Sequence, residues 1–188
     1  MSVTILCPLA MEARAARRGV RHLDSSVEVL YTGMGPKRSR AVHVPTGVAA
    51  VVGLGGALND ELAIGDIVVA TEVFATDVAP IGLLKAQQVA QDLQDAGFCV
   101  HAGSVACVGA IAVGVRRQEL AQTGAVAVDM ESAWLLEHHG SPTAVVRVIS
   151  DTPSKELRSL TAPLRVVRAL RTIRRMMPAL LGALDREV

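Results

Sequence analysis

Two acidic groups stand at the ends of apolar, β-branched runs. Val126-Ala127-Val128 leads into Asp129-Met130-Glu131-Ser132, and Val145-Val146-Arg147-Val148-Ile149 leads into Ser150-Asp151. Runs of this kind read as buried strands. Residues just past strand C-termini gather at the sheet edge where α/β proteins bind ligands. Glu131 and Asp151 are therefore expected to face one pocket from two separate strands. Two further places carry chemistry. Glu12 and Arg14 lie at the start of a helix-forming run that follows the first strand. A strand, turn and helix N-terminus make a natural anion site, and Arg14, one turn in, can reach an anion held there. Thr32-Gly33-Met34-Gly35-Pro36 follows a second strand and precedes Lys37, Arg38 and Arg40. Glycines such as Gly33 and Gly35 let backbone N–H groups approach a ligand closely.

The elements that must position these residues alternate. Strands are expected over 2–6, 27–31, 48–52, 67–73, 98–108, 110–115, 125–128 and 145–151, with helices over 10–18 and 81–96 and a strand–helix–strand unit spanning 126–151. The glycine run Gly53-Leu54-Gly55-Gly56 reads as a turn after the third strand. Gly65-Asp66 reads as a turn launching the fourth, with Asp66 stabilising it, and 116–123 reads as a short polar connection. Pro163 opens a long helix to about Leu184. Leu164, Val167, Leu170, Ile173, Met177, Leu180, Leu181 and Leu184 form its apolar face, and Arg165, Arg168, Arg171 and Arg175 its basic one. This helix either packs on the core with a solvated face or meets an anionic membrane surface or amphiphilic substrate. Alternating strands and helices imply an α/β class with helices on both sides of a sheet. With no repeat or linker, residues 1–188 are expected to form one domain.

The chain has 188 residues, 51% of them hydrophobic but only 2% aromatic, with a formal net charge of +1. So few aromatics argue against modules that stack nucleic-acid bases, and the charge balance against an electrostatic nucleic-acid trap. Nucleic acid is not an expected partner. Cys7, Cys99 and Cys107 show no metal spacing and all lie in apolar runs, so a reduced, buried role is expected for each. The N-terminus lacks a basic segment before its apolar run, and the uncharged stretches 41–58 and 98–115 contain His and Gly, the first also Pro45. They read as buried strands and turns, and a cytoplasmic protein follows.

Four pieces together resemble the nucleoside phosphorylase and nucleosidase superfamily: Thr32-Gly33-Met34-Gly35; Val52-Gly53-Leu54-Gly55-Gly56-Ala57-Leu58 with Ile64-Gly65-Asp66-Ile67-Val68-Val69; Val128-Asp129-Met130-Glu131-Ser132-Ala133; and Val146-Arg147-Val148-Ile149-Ser150-Asp151. The resemblance runs from Val3 to about Asp151. It implies a three-layer α/β fold with a twisted mixed sheet flanked by helices, and cleavage of the N-glycosidic bond of purine nucleosides by phosphate or water. It implies that Glu131 grips the ribose hydroxyls, that Met130 packs on the sugar, and that Asp151 protonates or hydrogen-bonds the purine. Asp129, Ser150, Gly53 and Val113 complete the implied substrate-binding set. The chemistry is sound. The bond breaks toward an oxocarbenium-like sugar, and a carboxylic acid beside the base relieves its developing charge, worth ~10²–10⁴-fold.

The nucleophile is where the chain departs from its resemblance. Ala10-Met11-Glu12-Ala13-Arg14-Ala15 matches a segment in which hydrolytic members carry a water-activating glutamate, and by this alignment that position is Arg14. An arginine here resembles phosphorylases and favours inorganic phosphate as co-substrate, bound by Arg14, the Gly33–Gly35 backbone and Lys37 or Arg38. Against that, Leu54 stands where a hydroxyl residue is usual, Val51 where the phosphorylases have an arginine, and Glu12 remains a water activator. Gly109-Ala110-Ile111-Ala112-Val113 lacks the stacking aromatic of the adenine-flanking segment. The short, alanine-rich start resembles the branch that releases adenine from adenosylhopane in hopanoid lipid synthesis. The expected activity is therefore phosphorolysis of that lipid nucleoside. The alternatives are hydrolysis of methylthioadenosine, adenosylhomocysteine or futalosine, a non-catalytic nucleoside- or lipid-binding protein, and a basic-helix module for membranes or RNA. The resemblance implies a homo-oligomer, with Trp134 and the C-terminal helix as interface pieces, and no metal or redox cofactor.

Overall fold

The computed structural model describes residues 3–23, 27–44, 47–138, 144–157 and 160–185. Ser2, expected to begin the first strand, and Pro45 lie outside the described residues. The elements run β1 (Val3–Cys7), α1 (Ala10–Val20), β2 (Val27–Tyr31), α2 (Pro36–Ala41), β3 (Val48–Ala57), β4 (Ile67–Ala75), β5 (Val78–Gly82), α3 (Ala86–Asp95), β6 (Val100–Cys107), α4 (Val115–Ala121), β7 (Ala127–Asp129), α5 (Ser132–Leu136), β8 (Ala144–Asp151) and α6 (Ala162–Asp185). The strands form one mixed eight-stranded sheet flanked by helices. β3 organises it. β1 pairs parallel with the first part of β3, β8 pairs parallel along it, and β7 pairs antiparallel with its end at Gly56 and Ala57. β8 also pairs with β4, β4 with β6 and β6 with β7, so these strands and β3 close a circuit. Every residue of β8 is buried, as expected of a strand covered on both faces.

Several elements differ from the sequence reading. Residues 53–56 continue β3 instead of turning, and 110–115 is not a strand. Residues 116–121 are helical, within α4, and α2 and β5 were not anticipated. α6 packs against α1, α3 and β8, but its apolar face is narrower than the spacing implies. Ile173, Met176, Met177, Leu180 and Leu184 are buried, whereas Leu164 and Val167 face solvent. α6 meets α1 where Gly19 lies against it: a Cβ at Gly19 would come within 2.8 Å of the Met177 side chain and collide with the Arg174 carbonyl. Pro178, four residues on, lacks the N–H that would have bonded that carbonyl. No helix among the described residues is long and apolar enough to cross a membrane.

Candidate active site

A pocket of about 290 Å³ opens where several strands end. Glu12 and Met11 enter it after β1, Met34 after β2, Leu54 to Gly56 from the end of β3, Ile111 and Ala112 after β6, Asp129, Met130 and Glu131 at and beyond the end of β7, and Ser150 and Asp151 from the end of β8. Glu131 and Asp151, from different strands, thus line one cavity, together with Met130, Asp129, Ser150 and Glu12.

Glu12 sits in the first turn of α1 and is 2% exposed. Its Oε2 accepts from the N–H of Leu9, the N-cap residue (2.7 Å), and its Oε1 from the N–H of Leu54 on β3 (2.7 Å). The first bond is the carboxylate half of a capping box, and the second ties the helix to the strand. Burial pushes the Glu12 carboxyl up to about 7, against the pull of the Arg147 guanidinium and these two N–H groups. At neutral pH it is poised between acid and base.

Arg147, from the middle of β8, is wholly buried. Its Nη2 lies 2.6 Å from Asp129 Oδ2 and donates to Ser132 Oγ (2.7 Å). Burial works against its charge, but Asp129, Glu131 and Glu12 outweigh that and hold it above its ordinary range. Asp129 is occupied by protein groups. Its Oδ1 accepts from the Cys107 thiol (2.6 Å) and the N–H groups of Glu131 (3.2 Å) and Ser132 (3.3 Å), and its Oδ2 from the Ser132 hydroxyl. Asp129 thereby fixes the turn that presents Glu131. Glu131 Oε1 accepts from the N–H of Gly35 (3.3 Å), which stands at φ 83°, a conformation that favours glycine. Burial raises the Glu131 carboxyl, and Arg147 works against that rise.

At the other end of the pocket, Ser150 Oγ lies 2.9 Å from Asp151 Oδ1 and Arg117 Nη2 donates to Asp151 Oδ2. Both side chains of this ion pair are 3% exposed.

Other expected residues stand elsewhere. Arg14 is exposed on α1 and does not line the pocket. A Cβ at Gly33 would meet the Arg38 side chain at 2.7 Å, so that arginine packs on the glycine turn. Arg40 bridges Asp77 and Glu137 at the surface (2.8 Å each), and Lys37 is exposed. Gly53 lies beneath the pocket: a Cβ there would meet Glu12 Oε1 at 2.8 Å and collide with Arg147 Nη1. Val113 is outside the lining, whereas Ile111 and Ala112 are in it. Trp134 is buried, with Nε1 donating to Asp77 Oδ1 (3.0 Å), and offers no free ring for an interface. Cys99 is exposed, unlike Cys7 and Cys107, because it precedes β6. Its thiol, Asp66 and His101 form a group at the start of β4 and β6, away from the pocket lining. Asp66 Oδ2 also accepts from the N–H of Ala63 (2.9 Å), stabilising the turn that launches β4.

Arg147 and Arg117 were not anticipated as site residues. The signal for Arg147 was its place inside an otherwise apolar strand run, where a charge has no route to solvent and must be paired. Arg117 had no comparable signal beside Arg116.

A family model described as the phosphorylase superfamily matches residues 21–178. Among solved structures, the 5′-methylthioadenosine/S-adenosylhomocysteine nucleosidase of Helicobacter pylori superposes with a TM-score of 0.80 at 18% identity, covering 96% of this chain and 97% of that one. The corresponding nucleosidase of S. pneumoniae gives 0.80 at 20% identity, covering 98% and 100%. The futalosine hydrolase of H. pylori gives 0.80 at 18% identity, covering 96% and 97%. These identities establish likeness of fold. No curated protein matches the sequence.

Proposed function

The chain belongs to the phosphorylase superfamily, and from that footing we propose that it hydrolyses the N-glycosidic bond of an adenosine carrying an apolar 5′ substituent. The observation that carries the reading is Glu12: a buried carboxyl pushed up to about 7, inside the pocket and beside Glu131 and Arg147. Glu12 takes a proton from a water that attacks C1′. Glu131, oriented by Gly35 N–H and by the turn Asp129 holds, accepts from the ribose hydroxyls, with Met130 against the sugar. Asp151 and Ser150 meet the base.

Water is favoured over phosphate by charge. Four carboxyls, those of Glu12, Asp129, Glu131 and Asp151, line the pocket. The arginines beside them are paired, Arg147 with Asp129 and Arg117 with Asp151. A phosphate dianion would enter against this field, and Arg14 is not there to offset it. An apolar 5′ group, including the hopane-type lipid that the sequence suggested, fits the pocket edge, where Met11, Met34 and Ile111 are 48%, 49% and 59% exposed. Incubating the protein with 5′-alkyl and unsubstituted adenosines and measuring free adenine by chromatography tests the reading. It predicts release in phosphate-free buffer with preference for the alkyl substrates. No release from any of them would overturn it.

A further inference from the structure

The pocket opens beyond the end of β6, whereas Asp66, Cys99 and His101 meet where β4 and β6 begin. Cys99 precedes β6 and His101 lies within it. Two residues apart on extended chain, their side chains share a face. Asp66 immediately precedes β4, and the parallel ladder brings it level with Cys99: Ile67 N–H donates to the Cys99 carbonyl (2.9 Å) and Ile67 pairs with Val100. Spacing along the chain gave no metal signal because the third group arrives from another strand. The Cys99 thiol, an Asp66 carboxylate oxygen and a His101 ring nitrogen all lie within 4.8 Å of one another. His101 Nε2 is 3.6 Å from Cys99 Sγ and 3.2 Å from Asp66 Oδ2. That one nitrogen cannot accept from the thiol and donate to the carboxylate at once. Convergence on a single point is instead how ligands surround a metal. Ligands about 2.0–2.3 Å from a tetrahedral metal stand about 3.3–3.6 Å apart, close to the separations here. The groups are also within reach of solvent: Cys99 is exposed, and the His101 and Asp66 side chains are 35% and 14% exposed. Asp66 Oδ2 accepts from the Ala63 N–H, and a carboxylate oxygen keeps a second lone pair for a metal.

We propose that Asp66, Cys99 and His101 form a zinc site, with water in the fourth position. The thiol gives its proton to solvent as the metal binds. Thiolate, imidazole and carboxylate are all zinc ligands, whereas Mg²⁺ and Ca²⁺ prefer shells of about six or more oxygens. Arg168, Arg171 and Arg175 line a cavity beside Asp66 and Cys99. Their charge opposes a weakly held cation, but thiolate and carboxylate together cancel the two charges of zinc. The site is independent of the N-glycosidic reading, since it lies outside the pocket. Its effect is on the sheet. The metal joins the start of β4 to β6, and the Asp66 carbonyl in turn accepts from the Ile149 N–H on β8 (2.9 Å).

The test is a cobalt titration of the full chain after a chelator has removed metal. Co²⁺ enters zinc sites and reports a bound thiolate by charge-transfer absorption in the near ultraviolet, and tetrahedral geometry by strong visible bands. One equivalent is expected to bind with both signatures, and zinc to displace it with a dissociation constant below about 1 µM. Zinc at about 100 times that constant is expected to raise the thermal midpoint by about 5 °C or more. Cys99→Ser, at an exposed position, is expected to abolish the charge-transfer band. Cys99→Ser, His101→Ala and Asp66→Asn are each expected to weaken zinc binding by about 100-fold or more. Absence of the thiolate band in the wild type would overturn the proposal. So would zinc affinity unchanged by any one of the three substitutions, which would mark adventitious binding at other side chains. If Asp66→Asn fails to fold, the other two substitutions decide.

Discussion

Glu12 and Arg147 carry opposite consequences of burial. With its carboxyl pushed up to about 7, Glu12 is a base only in part at neutral pH, so kcat should rise through pH 7 and level above it. Glu12→Gln should lower kcat by ~10²–10⁴-fold and abolish that rise, as a pH–rate profile would register. The same shift links to stability. A carboxyl whose folded pKa lies above its unfolded value contributes stability below the unfolded value, which is lost as pH rises through the folded one. Relative to Glu12→Gln, the wild type should lose about 3 kcal/mol between roughly pH 4.5 and 7, measurable by denaturation at several pH values. Arg147 compensates three neighbouring acids. Arg147→Met should cost about 3–5 kcal/mol at neutral pH, because it leaves Asp129 buried and unpaired. Denaturant midpoints would check it. Both acidic motifs were legible in the sequence because an acid ending an apolar strand is conspicuous. The partners of the arginines were not, since nothing in a one-dimensional pattern says which acid a buried arginine meets.

Glycine placement explains where the element reading held and where it failed. Gly33-Met34-Gly35 was read as a turn, and Gly35 does stand at positive φ. Residues 53–56 are also glycine-rich but are strand, because there the missing Cβ makes space for side chains crossing the sheet: Glu12 and Arg147 at Gly53, Arg117 and Asp151 at Gly56. Sequence alone does not separate a glycine needed for backbone conformation from one needed for clearance. Residues 110–115 were taken as strand on apolar content, although Ile111 and Ala112 instead border a pocket. The α1–α6 contact depends on a third glycine of the clearance kind. Gly19→Ala should destabilise the protein by about 1–3 kcal/mol, despite the better helix propensity of alanine. A lowered thermal midpoint would check it, and an unchanged or raised one would mean the helices separate without cost.

The whole molecule sets one sheet edge with acids and the mouth above it with methionine and isoleucine. The α/β class and the convergence of Glu131 with Asp151 followed from the alternation of elements and from motifs at strand ends, and the mixed sheet from the family resemblance. The choice of nucleophile did not, because it depends on which residues of one helical turn point inward. Alignment placed Arg14 at that position, whereas the fold turns Glu12 into the pocket and Arg14 to solvent. On the proposed reading, water attacks C1′ even when phosphate is abundant. The most direct measurement is phosphorus NMR of a reaction with a 5′-alkyl adenosine in phosphate buffer, run beside a chromatographic assay for adenine. Adenine release is expected with the inorganic phosphate signal unchanged and no sugar 1-phosphate. A sugar 1-phosphate resonance growing in step with adenine would contradict it and make the enzyme a phosphorylase.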